Sequence, residues 1–167
     1  MDIRDATLDD LEGILNVYEA TFDGPEKSTL LARLYNEEYI TTSLVAIEYG
    51  EIIAHIAFSE LEIFCDDDDK QVKASALACL AVAPTHQNIG IGTELTRQGL
   101  ELSVENGIEA IFIASPHAFF HRFGFDDIHD DFIKTSFSGQ FFMVLMLKQD
   151  IFDDFSGNIL FPDAFDI

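Results

Sequence analysis

Apolar residues return every three or four positions near the start of the chain, at Leu8, Leu11, Ile14, Leu15 and Tyr18. That spacing describes one face of an α-helix. Thr7 stands ahead of it as a cap, and Asp10, three residues on, completes a capping-box pattern. MDIRDA before it reads as a short strand. A second helix is predicted from Pro25 to Glu38, with Leu30, Leu31, Leu34 and Tyr35 as its stripe. The pattern then changes. TSLVAIEYGEIIAHIAFSELEIF holds two β-rich arms around Tyr49-Gly50 and reads as a hairpin. After an acidic loop at 66–70, Lys73 to Ala83 is apolar almost without a break, which places it centrally in a sheet; Pro84 ends it. Helical spacing resumes after Gly92 and stops at Gly107. IEAIFIAS (108–115) reads as another buried strand and PHAFFHRFGF as a short helix and a turn. FDDIHDDFIKTSF and QFFMVLMLKQ read as two more strands, and the tail keeps Ile159, Leu160, Phe161 and Phe165 to pack on the body. The order β-α-α-β-β-β-α-β-α-β-β describes a mixed α/β domain.

Composition narrows the setting. The 167 residues have the length of one domain, and no repeat or linker divides 1–167. A hydrophobic fraction of 48% with 16 Phe supports a real core and excludes a disordered chain. ALACLAVA (76–83) and FFMVLML (141–147) fall short of the roughly 18 residues of a membrane helix, and the polar start is no secretion signal. Cys65 and Cys79 lack metal or redox spacing. The expectation is a reduced, cytoplasmic protein with no metal and no membrane contact, a monomer or a homodimer. Its formal charge of −22, from 31 Asp+Glu against 9 Lys+Arg, argues against a nucleic-acid partner. The same charge attracts cations at long range, and equally serves solubility. The run Asp66 to Asp69 reads as a solvated loop, since it lacks the alternating spacing of a calcium loop.

Chemistry enters at THQNIGIGTEL (85–95), where a strand hands over to a helix through Gly90 and Gly92. A helix N-terminus offers unpaired N–H groups and partial positive charge, and glycine admits a ligand close to the backbone. Strand, glycine turn and helix together can cradle a phosphate. The dinucleotide pattern fails because Leu95 occupies its third small position, and the P-loop fails because Gly92-Thr93-Glu94 lacks the lysine. What remains is Q-x-x-G-x-G, formed by Gln87, Gly90 and Gly92.

That loop resembles the acyl-CoA pyrophosphate loop of the GCN5-related N-acetyltransferase (GNAT) superfamily. LAVAPTHQNIGIGTEL is similar to its central strand, loop and helix, FFHRFGF (119–125) to its later aromatic segment, and IRDATLDDLEGILNVYEATF to its opening strand and helix. The closing FFMVLML and NILFPDAF resemble a bacterial subgroup of N-acetyltransferases. The resemblance implies a mixed α/β sheet of six to seven strands with about four helices, and a V-shaped opening between the fourth and fifth strands. It implies acetyl-CoA as cosubstrate, with its pantetheine arm on Leu80, Ala81 and Val82. Its pyrophosphate would lie on Asn88, Ile89, Gly90, Ile91, Gly92 and Thr93, beside Gln87. Arg97, one turn on, is either a phosphate contact or a solvated helix-face charge. Gly99, inside the same helix at a cost of ~1 kcal/mol, either permits close packing or is tolerated.

The implied reaction moves an acetyl group to a primary amine of a small molecule or protein, by direct transfer. The acidic balance favours a cationic small molecule as acceptor. A backbone N–H, of Val82 or Leu80, would polarise the thioester carbonyl. Glu60 or Glu62, through a water, or His55 is the candidate general base, with plainer readings as a solvated strand face for either glutamate and a satisfied histidine for His55. The tyrosine that often protonates the departing thiolate is replaced by Phe120, which has no proton to give. Water, or Ser115, His117 or His121, is left to do so. Phe120 would instead pack against the thiol end of the cofactor or in the core. Cys79 reads as a small core residue, with an acyl-enzyme as the sharper alternative. A non-catalytic acyl-CoA sensor is the competing function.

Overall fold

The alternation of the β-rich segments and the stripes of the helices assemble into one mixed sheet covered on both faces. In this computed structural model the described residues are 1–66, 71–114, 117–128, 134–135, 142–149 and 157–165. The elements run β1 (Asp2–Asp5), α1 (Leu11–Thr21), α2 (Glu26–Asn36), β2 (Ile40–Glu48), β3 (Glu51–Cys65) and β4 (Ala74–Val82). They continue with α3 (Ile91–Glu105), β5 (Ala110–Ile113), β6 (Asp126–Ile128), β7 (Lys134–Thr135), β8 (Phe142–Met146) and β9 (Gly157–Leu160). Seven strands follow the order β1-β2-β3-β4-β5-β8-β6. On that path β4 and β5 run parallel and the other neighbours antiparallel. β9 adds to the far end of β3, at Glu62–Cys65, and β7 lies beside β9. The tail thus packs on the body, as its apolar residues suggest. No helix among the described residues is long and apolar enough to cross a membrane.

Strand alternation divides the core. On β2, Leu44 and Ala46 join a cluster with Ile91 and Leu95 of α3. Val45 between them points to the other face, where Ile14, Val17 and Tyr18 of α1 and Leu31 and Leu34 of α2 are buried. The hairpin turns as expected: Tyr49 and Gly50 take φ of 51° and 80°, and Glu48 pairs with Glu51.

Two expectations shift. Helix α1 starts at Leu11, after a 3-10 turn at Leu8–Asp10, and Leu8 is exposed instead of joining the stripe. The Asp10 carboxylate accepts from Thr7 N at 2.7 Å and takes both guanidinium nitrogens of Arg4 at 2.7 and 2.9 Å, which fixes the turn ahead of the helix. The Arg4 hydrogen bond holds that carboxyl well below the usual carboxylate range. The short helix expected at PHAFFHRFGF is a 3-10 segment, Ala118–Phe123, closed by Gly124 at φ 95°. Among the described residues α1, α2 and α3 are the α-helices, and this is the longest of the 3-10 segments.

Candidate active site

Strands β4 and β5 pair only from Ala74 to Ala76, opposite Ala110 to Phe112, and then part. Beyond that point, among the described residues, β4 is held on one side alone, by β3. The bond from Ala83 N to Ile53 O, 2.8 Å, sets the phase of the ladder. By alternation Ala83 and Ala81 turn their backbone groups to β3, while Leu80 and Val82 turn theirs to the open edge. The Val82 carbonyl there accepts from Gln87 Nε2 at 3.0 Å and from Thr21 Oγ1 at 3.2 Å. Of the three expected pantetheine partners, Leu80 and Val82 thus offer N–H groups, and Ala81 spends its own within the sheet.

A cavity of about 710 Å³ opens at this parting and draws walls from both faces of the sheet. On the α3 face it is lined by Leu80, Val82, Ile91, Phe119 and Phe120. On the α1–α2 face it is lined by Phe22, Leu30, Cys79 and Phe165, with Lys27. Gln87, Asn88, Gly90, Gly92 and Thr93 border it as well, whereas the side chain of Ile89 is largely exposed.

The loop geometry explains its glycines. Gly90 caps α3 at φ 93°, a left-handed conformation that costs other residues strain, and among the described residues no atom beyond its chain neighbours lies within 4 Å of where its Cβ would be. Asn88 also has positive φ, 63°. The first intrahelical bond runs from Glu94 N to Gly90 O, 3.0 Å, so the N–H groups of Ile91, Gly92 and Thr93 lie outside the helical ladder. A Cβ on Gly92 would meet Val82 and Phe119 at ordinary contact distances, 3.5 and 3.6 Å.

Sequence reasoning passed over the cation that serves this loop. Arg122 lies over the Phe119 ring, 4.4 Å from its centroid, and donates to Thr93 Oγ1 at 3.4 Å. It lines the cavity. Its place in FFHRFGF, the aromatic segment already singled out, was the available signal. Arg97, by contrast, donates to Glu94 through Nε at 3.0 Å and also pairs with Glu101, on the outer face of α3.

The catalytic candidates separate. Phe120 is buried and lines the cavity. His117 also lines it, and its Nδ1 accepts from Phe119 N at 3.1 Å. That bond leaves Nε2 to carry the proton of the neutral ring. His86, a further lining residue, has Nδ1 on Thr85 and Nε2 on Glu48, both at 2.9 Å. His121 instead faces solvent beside Asp127. Ser115 falls outside the described residues.

The candidate bases are not brought to this cavity. Glu60 is exposed and borders a separate hollow of about 190 Å³, with Tyr39, Glu62 and Asp163. His55 is fully buried in the α1–α2 layer. Its Nδ1 meets the Tyr18 hydroxyl at 2.9 Å, and its Nε2 meets Ser43 at 2.8 Å and Tyr35 at 3.4 Å. Burial pushes its pKa down to about 3, so it is neutral at physiological pH. Cys79 is buried too, beside Tyr18, and burial pushes its thiol up to about 12.

Residues 2–128 match the family model described as an acetyltransferase (GNAT) domain. Over 159 residues the chain is 24% identical to an uncharacterized N-acetyltransferase, YhbS, of Escherichia coli (strain K12), with 93% of each chain covered. Over 124 residues it is 28% identical to another from that organism, YjhQ, covering 73% of this chain and 67% of the relative. Among solved structures it is similar to Escherichia coli YhbS in complex with CoA, with TM-score 0.88 and 24% identity over 99% of this chain and 92% of that one. It is also similar to a Brucella melitensis GNAT acetyltransferase in complex with acetyl-CoA, with TM-score 0.77 and 25% identity over 98% and 97% of the two chains. By its family model and its fold, this chain belongs to the GNAT family of acetyltransferases.

Proposed function

We propose that the chain transfers an acetyl group from acetyl-CoA to a primary amine of a small molecule or protein, directly, within a ternary complex. The observation that carries this reading is the cavity at the parting of β4 and β5, with backbone donors on its open edge and at the start of α3. The donor set suits an acyl-CoA. Leu80 and Val82 can pair with a peptide-like arm, and the N–H groups of Ile91, Gly92 and Thr93 with Arg122 suit a diphosphate. Relatives of the same fold hold CoA and acetyl-CoA.

Acetyl-CoA would supply an acyl group already activated as a thioester. The chain's residues do the rest. The Val82 N–H is suited to draw charge onto the carbonyl oxygen. An acceptor amine must shed its proton to react, and a lysine-like amine at pH 7 costs roughly 4–5 kcal/mol to neutralise. Among the described residues that line the cavity there is no carboxylate to help. The apolar walls, Phe22, Leu30 and Phe165, favour the neutral amine by desolvation, and water takes its proton. The buried Cys79 thiol stays protonated at neutral pH, which favours direct transfer over an acyl-enzyme. His117 Nε2–H is the side-chain donor suited to the departing thiolate in place of the phenol that Phe120 lacks.

Titration calorimetry with acetyl-CoA, followed by thiol release with amines, tests this reading. The wild type is expected to bind and Gly90→Asp to lose binding, since a carboxylate there repels a diphosphate. A thermal melt confirms that the variant is folded. Equal affinity in both proteins would remove the loop from the site, and binding without thiol release across a broad amine panel would favour the sensor.

A further inference from the structure

The cavity changes character along the edge of β4. At the loop it is bordered by Gln87, Asn88 and Thr93, with Arg122 donating to Thr93 Oγ1. From there the open edge runs back through Val82 and Leu80 to the place where β4 and β5 come together, at Ala76 and Phe112. At that inner end the cavity is lined by Leu77, Ala78 and Cys79 of β4, by Ile113 of β5 and by Ala114 just after it. A diphosphate on the loop and an arm along the edge bring the acyl group of the donor toward this inner end.

The inner end is enclosed and apolar. Leu77, Cys79 and Ile113 line the cavity yet are 4%, 3% and 3% exposed. A β-bulge shapes its floor. Ala57 stands opposite Cys79 and Phe58 opposite Leu77, so Ala78 is the extra residue on β4. Ala78 and Cys79, although consecutive, therefore join the same buried cluster on the α1–α2 face. Two small side chains occupy that floor, and both border the cavity. Phe120 adds a ring to the wall without the hydroxyl of a tyrosine. An enclosed space of this lining is poorly hydrated and takes apolar groups in preference to water.

We propose that this site binds and transfers straight, saturated acyl groups longer than acetyl, such as propionyl and butyryl, in preference to acetyl. This rests on the transferase reading above and widens its donor from acetyl-CoA to short-chain acyl-CoA. The bonds are those of acetyl transfer. The amine nitrogen bonds to the acyl carbonyl carbon, the carbon–sulfur bond breaks, the amine proton leaves to water, and the CoA thiolate takes a proton. What changes is the tail. Acetyl presents one methyl group to the inner end, and butyryl adds two methylenes against Leu77, Ala78, Cys79 and Ile113. Each methylene removed from water is worth about fourfold in affinity. A hydroxyl on the same tail would meet no strong hydrogen-bond partner among those four side chains, and its burial counts against binding.

Titration calorimetry with CoA, acetyl-CoA, propionyl-CoA, butyryl-CoA and 3-hydroxybutyryl-CoA tests this without an acceptor amine. Butyryl-CoA is expected to bind about tenfold more tightly than acetyl-CoA, propionyl-CoA between them, and 3-hydroxybutyryl-CoA well below butyryl-CoA. Ala78→Leu, with a thermal melt to confirm folding, should bring the butyryl-to-acetyl affinity ratio toward one. Ala114→Val is the second variant, from the β5 side of the same space, with a fall in that ratio expected. Thiol release with an amine that accepts acetyl should follow the order of binding. Equal or tighter binding of acetyl-CoA, or 3-hydroxybutyryl-CoA matching butyryl-CoA, would overturn the proposal. Butyryl-CoA bound tightly but not transferred, where acetyl-CoA is, would give the space to the acceptor and overturn it too. Failure of every CoA form to bind would instead overturn the transferase reading beneath it.

Discussion

The ring of Phe58 occupies the place where a side chain on Gly99 would begin: a Cβ there would stand 2.5 Å from Cε2 of that ring. The contact joins the middle of α3 to the middle of β3. Helix propensity alone says that alanine at 99 should stabilise by about 1 kcal/mol. The ring is fully buried, and overpacking a filled core typically costs about 1–3 kcal/mol. Gly99→Ala is therefore expected to lower stability by roughly 1 kcal/mol net, read as a lower urea midpoint at unchanged slope. Adding Phe58→Leu should recover part of the loss. A higher midpoint for Gly99→Ala alone would mean that the ring simply moves aside.

His55 gives the fold an acid sensitivity. Its value of about 3 in the folded chain lies below its ordinary 6.5, because burial disfavours the charged ring. The unfolded chain therefore takes up a proton that the folded one refuses. Above about pH 6.5 this costs nothing; below it, stability falls by up to ~1.4 kcal/mol per pH unit until the folded value is reached. Wild type and His55→Gln, compared by urea unfolding at pH 7 and pH 5, should diverge in slope, with the wild type losing more. Equal losses would show that the ring is protonated inside the fold.

The proton for the departing thiolate can be traced by exchange of two positions. His117→Gln should lower kcat by about tenfold, below the usual span for general acids because a thiolate leaves readily. The KM for acetyl-CoA should stay near its wild-type value. Phe120→Tyr in that background should restore part of kcat by returning a phenol to the cavity wall. Steady-state kinetics of the four proteins decide the matter. If His117→Gln has wild-type kcat across pH 6 to 9, water alone supplies the proton.

Local signals in the sequence were legible because their causes are local. The Tyr49-Gly50 turn, the cap pattern at Thr7 and Asp10, and the glycine needed at 90 each follow from backbone demands of a few residues. Leu8 shows the limit: its spacing fits the stripe of α1, but the Arg4–Asp10 pair holds the preceding turn out of the helix. The site was legible as a loop and a strand edge, and less so as side chains. Alternation tells that Glu60 and Glu62 share a face, not which hollow that face borders. The contact of Arg122 with Thr93 spans 29 residues, and no spacing rule encodes it. Nor does the run from Lys73 to Ala83 announce where its neighbour β5 will leave it.

That departure has a wider consequence. A strand edge with unsatisfied amides usually recruits other strands, and exposed it would seed aggregates. Here the bare edge lines a recess together with Phe119 and Phe120. By parting from its neighbour inside the fold, this strand keeps its adhesive margin within a cavity and off the rim of the sheet.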